Sequence, residues 1–226
     1  MPAYKNRMWD GKIRLFDLRK KVIYGGLFKY IKEFAQARGY ELICEDNSMY
    51  GRPDTEELHD IESFLNSLSL SVNGVGITPR SYQLDALSRA LQEKKSLLLS
   101  PTASGKSLII YLAIRYHLEM NQGNVLLIVP TTSLVEQMYS DFESYGYNSE
   151  EYCHRQYAGK DKHSKKFLTI TTWQSIYKND PEYFEQFDFV LGDEAHQFKA
   201  KSLTTIMTGL VNSKYRIGCT GTLDGT

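Results

Sequence analysis

The sequence predicts an α/β protein, a parallel sheet flanked by helices and preceded by a small α+β domain. From residue 79 onwards, apolar strand segments alternate with amphipathic helix segments, an order typical of a parallel sheet covered on both faces. Several of these strands are short and continuously apolar, as strands buried on both sides must be. The first 70 residues lack this alternation of strand and helix segments, and their charges are distributed differently.

The first 70 residues mix short strand and helix patterns, which predicts the small α+β domain. The predicted strands are 11–17, 21–24 and 40–44, and the predicted helices are 27–38 and 54–68. Gly39 is placed to end the first helix. Residues 71–78 are free of charge and rich in Gly, so we predict a linker there.

The remaining chain, residues 79–226, supplies the alternating pattern. The predicted helices are 81–94, 106–120, 133–145 and 199–211, and the predicted strands are 96–100, 124–129, 167–172, 188–193 and 215–220. Ligands of parallel sheets bind at the carboxyl ends of the strands. The sequence motifs described below all fall at those ends.

Composition excludes several classes of protein. The 226 residues carry 27 basic and 27 acidic side chains, and their 16 Tyr, 10 Phe and 2 Trp argue against intrinsic disorder. No apolar stretch approaches the roughly 18 residues of a membrane span, and the start has no secretory apolar segment. Cys44, Cys153 and Cys219 form no C-x-x-C pair, which argues against a disulfide framework or a zinc site. We therefore expect a cytoplasmic protein with no membrane partner.

The neutral total hides a basic block beside an acidic one. Residues 1–40 carry ten Lys or Arg and three Asp or Glu, whereas residues 41–65 carry eight acidic residues and one basic residue. The basic block is suited to a polyanion such as nucleic acid. Charge pairing between the two blocks on one surface explains the pattern as well.

A phosphate-binding loop is predicted at residues 100–107, SPTASGKS, between a strand and a helix. The segment fits the P-loop pattern except that Ser100 stands where the first Gly is expected. Gly105 allows backbone N–H groups to point at phosphate oxygens, Lys106 brings a cation to the β- and γ-phosphates, and Ser107 offers a hydroxyl to Mg²⁺. The residues that we expect to bind ATP within this loop are Thr102, Ala103, Ser104, Gly105, Lys106 and Ser107.

Two adjacent carboxylates end the predicted strand 188–193, in the segment DFVLGDEAH. In a P-loop ATPase the first carboxylate holds Mg²⁺ and the second polarises the attacking water. This assigns Asp193 to the metal and makes Glu194 the general base, with Lys106 as its catalytic partner. The alternative is that both acids only cap the following helix.

Taken together, the motifs resemble those of superfamily 2 helicases of the DEAD/DEAH type. They are ITPRSYQ (77–83), PTASGKS (101–107), VPTTSLVEQ (129–137), TITTWQS (169–175), DEAH (193–196) and TGT (220–222). The resemblance implies that residues 79–226 form the first RecA-like domain of such a helicase. Within the superfamily, the sequence most resembles the amino-terminal part of the recombination and repair helicases of T-even phages.

The resemblance assigns roles residue by residue. Arg80 and Gln83 correspond to adenine-recognising positions. The positions that correspond to contacts with the sugar-phosphate backbone are Pro130, Thr131, Thr132, Thr172 and Trp173. The positions that couple the ATP site to the nucleic acid are His196, Thr220, Gly221 and Thr222. For Trp173, a place in the core explains the residue equally well.

The implied activity is that of a DNA helicase or translocase in recombination, repair or the remodelling of forks and branches, with ATP and Mg²⁺ as cofactors. Residues 1–70 would help to hold DNA. A second RecA-like domain, which would carry an arginine finger, has no candidate in this sequence, so we expect weak ATP hydrolysis by the isolated chain. Three alternatives stay open: an RNA helicase, a translocase subunit of a restriction enzyme, and a fragment that binds ATP and nucleic acid without catalysis.

Overall fold

The structure is a computed structural model that describes residues 14–44, 58, 60–101, 103–121, 123–158, 164–197 and 200–221. Its contacts divide the chain into two compact units, Met1–Asp54 and Thr55–Thr226. The division lies earlier than the linker predicted at residues 71–78, which falls inside the second unit. Within the described residues, no helix combines the length and hydropathy that crossing a bilayer requires.

The first unit contains an antiparallel pair of strands and one helix. Strand β1 (Phe16–Asp17) pairs with β2 (Val22–Ile23), and a 3₁₀ turn leads into helix α1 (Phe28–Ala37). Gly39 ends the helix with φ +67°, and the Tyr40 N–H bonds to the Ala35 carbonyl at 2.9 Å. The strand predicted over 40–44 does not form. The closing turn of the helix uses the Tyr40 N–H, and residues 41–44 are exposed.

The second unit begins with a segment that packs onto the main core. Helix α2 (Ile61–Ser67) is capped by Asp60, whose carboxylate accepts from Glu62 N at 2.9 Å. Phe64 is buried, and its ring meets the Tyr116 ring edge-on at 5.2 Å. This packing explains why the division between the units precedes α2.

A hairpin replaces the predicted linker. Strands β3 (Ser71–Val72) and β4 (Val75–Gly76) pair antiparallel across Asn73 and Gly74, whose φ angles are +52° and +78°. A two-residue turn of type I′ needs positive φ at both central positions, and Asn-Gly is its favoured sequence. The uncharged composition therefore reflects a tight turn rather than a flexible connection.

Six parallel strands form the central sheet. They are β5 (Lys95–Leu99), β6 (Asn124–Val129), β7 (Cys153–Gln156), β8 (Leu168–Thr172), β9 (Phe187–Gly192) and β10 (Tyr215–Thr220). Their order across the sheet is β5-β10-β9-β6-β8-β7, and every neighbouring pair is parallel. The predicted fold class is confirmed. The edge strand β7 was not predicted, because its sequence CHRQ has no run of apolar residues.

Helices cover the sheet. They are α3 (Ser81–Glu93), α4 (Lys106–Asn121), α5 (Thr132–Ser144), α6 (Ser149–Tyr152), α7 (Trp173–Ile176), α8 (Pro181–Glu185) and α9 (Ala200–Gly209), with a 3₁₀ turn at Ala195–Gln197. The four long helices match their predicted positions within about two residues at each end. The short helices α6, α7 and α8 are too brief to show helical periodicity in the sequence.

The core consists of two apolar clusters that share the strand β6. Val125 and Leu127 belong to the larger cluster, together with residues of α3, α4 and α5. Leu126 and Ile128 belong to the other cluster, together with α8 and α9. Since alternate residues of one strand enter opposite clusters, β6 is buried on both faces, as its unbroken apolar sequence predicts. The edge strand β5 departs from this, because Leu97 and Leu99 remain more than half exposed.

Candidate nucleotide-binding site

The loop between β5 and α4 has the backbone shape of a phosphate cradle. Ala103 and Gly105 have φ angles of +64° and +73°, and the Leu108 N–H bonds to the Gly105 carbonyl at 3.0 Å to start α4. Ser100 is buried, and its hydroxyl lies 2.5 Å from the Ser104 hydroxyl. The residue that departs from the P-loop pattern thus makes a hydrogen bond across the loop. Thr102 lies outside the described residues.

Helix α3 holds this loop through a hydrogen bond from the Gln83 side chain. The buried Gln83 side chain accepts a hydrogen bond from Arg80 N at 2.8 Å and donates to the Ser104 carbonyl at 3.1 Å. The Tyr82 hydroxyl donates to the same carbonyl at 2.8 Å. Both ends of the Gln83 amide are therefore engaged within the chain, whereas Arg80 lies exposed beside them. Tyr82 was missed by the sequence analysis, since a tyrosine on an amphipathic helix carries no signal of its own.

Lys106 joins the loop to the two adjacent carboxylates that follow β9. Its Nζ lies 3.1 Å from Asp193 Oδ1 and also forms an ion pair with Glu194. The three side chains are largely enclosed, with 16%, 4% and 25% of the side-chain surface exposed for Lys106, Asp193 and Glu194. Glu194 has φ +47°, a sparsely populated conformation for a residue with a side chain. Residues 88 positions apart in the sequence thus meet in one charged cluster.

The environment moves the pKa values of the two carboxyl groups in opposite directions. Burial raises the pKa of Asp193 above its usual range, although the Lys106 ammonium opposes this. Burial also acts to raise the pKa of Glu194, but the hydrogen bond and charge of Lys106, with the Gly221 N–H, lower it overall. For Lys106, burial lowers the pKa, but Glu194 and Asp193 outweigh it and raise the pKa overall. Divergent pKa values in a pair of carboxyl groups are typical of sites that use them for different tasks.

Ser107 has neighbours that the sequence did not reveal. Its hydroxyl lies 2.9 Å from the Tyr145 hydroxyl, directly after the end of α5. The Asp141 carboxyl lies one turn earlier; burial raises its pKa, and the nearby Ser107 hydroxyl acts to lower it. Tyr145 and Asp141 fall within a predicted helix, and nothing in their spacing relates them to the loop.

The ends of β9 and β10 are linked directly. His196 Nδ1 lies 2.7 Å from the Thr220 hydroxyl and 3.4 Å from Glu194 Oε2. The Ser100 N–H bonds to the Thr220 carbonyl at 2.9 Å, which ties β10 to the phosphate loop. Of the four residues assigned to coupling, His196 therefore contacts both Glu194 and Thr220, and the Gly221 N–H acts on the Glu194 carboxyl. Thr222 lies outside the described residues.

The residues assigned to nucleic-acid contacts lie at the carboxyl ends of β6 and β8, which are neighbouring strands. Thr131 and Thr132 are exposed at the start of α5, where the Thr131 hydroxyl caps the helix by accepting from Leu134 N at 3.3 Å. Pro130 and Thr172 are buried, and Thr172 bonds Ser175 at 2.8 Å. Thr131 and Thr132 are thus open to a ligand without rearrangement, whereas Pro130 and Thr172 are not.

Trp173 is only partly buried, which fits both interpretations of it. Its ring packs against the apolar cluster of α8 and α9, and it lies 6.0 Å from the Tyr177 ring. Part of the side chain stays accessible at the start of α7. The residue is a core aromatic that keeps an exposed edge.

The oxygen ligands of this site suit Mg²⁺. Within the described residues, no group of three or more His, Cys, Asp or Glu side chains is arranged to hold a metal. Mg²⁺ at nucleotide sites needs fewer protein ligands, because it keeps waters and binds phosphate oxygens beside one or two carboxylates. The Asp193 carboxylate is buried beside the Lys106 ammonium group, and Ser107 follows that lysine in the chain. Both are hard oxygen donors of the type that this ion prefers.

Comparison with known proteins gives consistent results. Residues 76–225 match the family described as type III restriction enzyme, res subunit. The ATP-dependent DNA helicase UvsW of Enterobacteria phage T4 is 34% identical over 98% of this chain, and the match covers 44% of that helicase. The DNA 3'-5' translocase XPB2 of Sulfurisphaera tokodaii is 27% identical over 74% of this chain and 36% of its own length. This chain thus spans less than half the length of these curated relatives.

Solved structures agree with the sequence matches. A crystal structure of the UvsW helicase from bacteriophage T4 superposes with a TM-score of 0.83 at 34% identity, covering 98% of this chain and 79% of that one. The Hef helicase domain of Pyrococcus furiosus superposes with a TM-score of 0.56 at 24% identity over 66% of this chain and 34% of that one. At this lower identity, the likeness to the Hef helicase domain shows a shared fold and nothing more.

Proposed function

Since the chain belongs to the family of type III restriction enzyme res subunits, we propose that its second unit is the ATP-hydrolysing domain of a DNA helicase or translocase. The single observation that carries this proposal is the cluster of Lys106 with Asp193 and Glu194 beside the phosphate loop. The relatives named as a DNA helicase and a DNA translocase support DNA as the polymer.

The reaction is transfer of the terminal phosphoryl group of ATP to water. The loop N–H groups and the start of α4 hold the phosphates, and Lys106 leaves its carboxylate partners to contact the β- and γ-phosphates. Asp193 and Ser107 are the residues that hold Mg²⁺, which when bound supplies charge that stabilises the transferring group. Glu194 orients the attacking water and accepts its proton.

The ATP site is coupled to DNA through His196 and Thr220, which lie beyond Glu194. His196 and Thr220 connect the water-positioning carboxylate to β10, the strand that also bonds to the phosphate loop. DNA lies along the ends of β6 and β8, with Thr131 and Thr132 as phosphate contacts. Phosphate contacts carry no sequence information and therefore suit a protein that moves along DNA. Recombination, repair or the remodelling of branched DNA is the setting that we propose for this activity.

The experiment that tests the function is steady-state ATP hydrolysis by this chain with branched DNA, with a matched RNA and without nucleic acid. We expect hydrolysis that DNA raises more than RNA does, because the curated relatives are named as a DNA helicase and a DNA translocase. Lys106→Ala and Glu194→Gln should both abolish the signal. Glu93→Gln, which alters a surface pair with Arg89, is the control and should leave it unchanged.

Each alternative predicts a different result in the same assay. Greater stimulation by RNA would identify an RNA helicase. Retained DNA binding with no hydrolysis by either the parent chain or Lys106→Ala would identify a non-catalytic binding fragment. A restriction translocase would require long duplex DNA rather than branched DNA for stimulation.

A further inference from the structure

The hydroxyl of Ser107 has two polar side chains beside it and one open direction. One is the Tyr145 hydroxyl at 2.9 Å, and another is the Asp141 carboxylate. The third direction is open, because Ser107 is only half-buried at the start of α4. No other hydroxyl of the described phosphate loop has a partner on α5 or directly after it.

Counting hydrogen-bonding sites on these groups defines their arrangement. A serine hydroxyl has one donor proton and two acceptor lone pairs. When Asp141 is ionised it only accepts, and in that arrangement the Ser107 proton points to Asp141 and the Tyr145 hydroxyl donates to one Ser107 lone pair. One lone pair of Ser107 then remains, and its direction is fixed by the other two bonds.

We propose that Tyr145, acting with Asp141, is a positioning residue that aims the free lone pair of Ser107 at Mg²⁺. The inference rests on the proposed function, since it takes Ser107 to be a ligand of the metal that accompanies ATP. Groups that hydrogen-bond a metal ligand fix its orientation, and a group that accepts a hydrogen bond from the ligand also raises its basicity. A hydrogen bond that the Ser107 hydroxyl donates to a carboxylate likewise orients the hydroxyl oxygen and raises its basicity.

The surroundings hold Tyr145 firmly enough for this role. Its side chain is 8% exposed, and its ring packs 5.1 Å from the Tyr111 ring. The neighbouring Ser144 carbonyl accepts from the Ser71 hydroxyl at 3.1 Å. A Cβ placed on Gly146 would lie 2.9 Å from the Ser69 carbonyl, so that backbone approach leaves little room for movement.

Helix α5 gives this contact a further consequence. The helix starts at Thr132, directly after Thr131, and these two residues are the proposed DNA contacts; it ends at Ser144, directly before Tyr145. A displacement of α5 by DNA would therefore move the Tyr145 hydroxyl relative to the metal ligand. The proposal thus supplies a route from DNA to the metal that does not pass through β9 or β10.

The test is a Mg²⁺ titration of the intact chain with a fluorescent ADP, which reports metal and nucleotide binding without hydrolysis. Tyr145→Phe should raise the Mg²⁺ concentration at the midpoint by about tenfold or more. Its affinity for the nucleotide in EDTA and its thermal midpoint should match those of the parent chain. Tyr147→Phe is the control, since that ring packs on the same Tyr111 at 6.2 Å.

A double-mutant cycle separates positioning from a structural effect. In a Ser107→Ala background the metal ligand is gone, so adding Tyr145→Phe should change the midpoint no further. Asp141→Ala is a second variant that removes the acceptor of the same hydroxyl, and it should raise the midpoint as well. Should Tyr145→Phe not fold, Asp141→Ala decides the question by the same criterion.

Two outcomes would overturn the proposal. An unchanged midpoint in Tyr145→Phe, with normal Mg²⁺-dependent binding by the parent chain, would refute the positioning role and leave the proposed function intact. An equal shift with and without Ser107 would assign the effect to structure rather than to the ligand. If the parent chain itself binds the nucleotide without any dependence on Mg²⁺, the proposed function fails together with this inference.

Discussion

Gly105 is a position in the phosphate loop where backbone conformation and space both restrict the side chain. Its φ is +73°, and a Cβ would collide with the Gln83 amide nitrogen that supports the loop. A left-handed backbone costs a residue with a side chain roughly 1–2 kcal/mol. We therefore expect Gly105→Ala to destabilise the fold by about this amount and to abolish nucleotide binding. Urea denaturation and fluorescent ADP binding measure the two effects.

The matched control is Gly26→Ala, because a Cβ at Gly26 meets nothing within 4 Å. That variant should bind the nucleotide normally. Normal binding by Gly105→Ala as well would show that the loop shape does not depend on the glycine.

Glu194 gives the protein a pH dependence of stability with a definite sign. Its folded-state pKa lies below the ordinary 4.5, because Lys106, the Gly221 N–H and His196 together outweigh the effect of burial. The ionised carboxylate therefore contributes stability that is present above the unfolded-state pKa and is lost as the pH falls through the lower folded-state pKa. Glu194→Gln should reduce the free energy of unfolding by about 1–2 kcal/mol at neutral pH.

The difference between Glu194→Gln and the parent chain should shrink below about pH 4.5, where the glutamate begins to be protonated in the unfolded state. Denaturant titrations at neutral and acidic pH measure it. A difference that stays constant across this range would show that the carboxylate charge contributes nothing.

At the scale of elements, Arg216 ties the strand β10 to the end of helix α9. Its guanidinium donates to the Leu210 carbonyl at 2.7 Å and to the Met207 carbonyl at 3.1 Å, and burial lowers its pKa. The Met207 carbonyl lies in the last turn of α9, where no later helical N–H is available to it, and the Leu210 carbonyl lies just after the helix and also accepts from Ser213 N at 3.2 Å. Arg216→Met should therefore destabilise the second unit by about 2–3 kcal/mol, since hydrogen bonds from charged groups are the stronger kind.

Arg216→Lys should recover part of this loss, because an ammonium group reaches fewer carbonyls than a planar guanidinium. Arg89→Met is the control on the surface and should change the free energy of unfolding by less than about 0.5 kcal/mol. Equal effects of Arg216→Met and Arg89→Met would exclude the capping role.

Elements also show where composition misleads. Residues 71–78 have the uncharged, glycine-containing composition of a linker, yet Asn73 and Gly74 turn them into a hairpin inside the second unit. The Asn-Gly pair is the signal that could have found the turn. By contrast, the strand predicted over 40–44 has suitable residues but no neighbouring strand to pair with in the described structure.

At the scale of the whole molecule, two exposed cations of the basic block lie next to each other in one turn of the first unit. The turn between β1 and β2 carries Arg19 and Lys20, whose N–H groups donate to Asp17 Oδ1 at 2.9 and 3.0 Å. Both side chains are exposed. If this turn contacts DNA phosphates, Arg19→Gln with Lys20→Gln should weaken DNA binding and lower the slope of log K against log[salt] by about two.

Binding measured from low to moderate salt gives that slope. The control replaces Arg89 and Lys95, two exposed cations of the second unit, with Gln and should leave the slope unchanged. An identical slope in both double variants would favour the alternative that the basic block pairs with the acidic residues 41–65.

The sequence by itself determined the parallel α/β fold and the order of its motifs. Unbroken apolar segments need burial on both faces, and strand–loop–helix spacing restricts where a phosphate loop can lie. Lys106, Asp193 and Glu194 could be named in advance as a group, because their residue types and order are typical of P-loop ATPases, and the structure brings the three side chains together.

Only the tertiary structure decided which side chains contact the loop and its neighbours and hold them in place. Gln83 under the loop, Ser100 bonded to Ser104, and Tyr145 against Ser107 depend on how helices and loops meet in space. Such contacts involve single side chains from separate elements and produce no periodic pattern in the sequence. The division of the chain before α2 has the same cause, because the packing of Phe64 on Tyr116 is a property of the folded core.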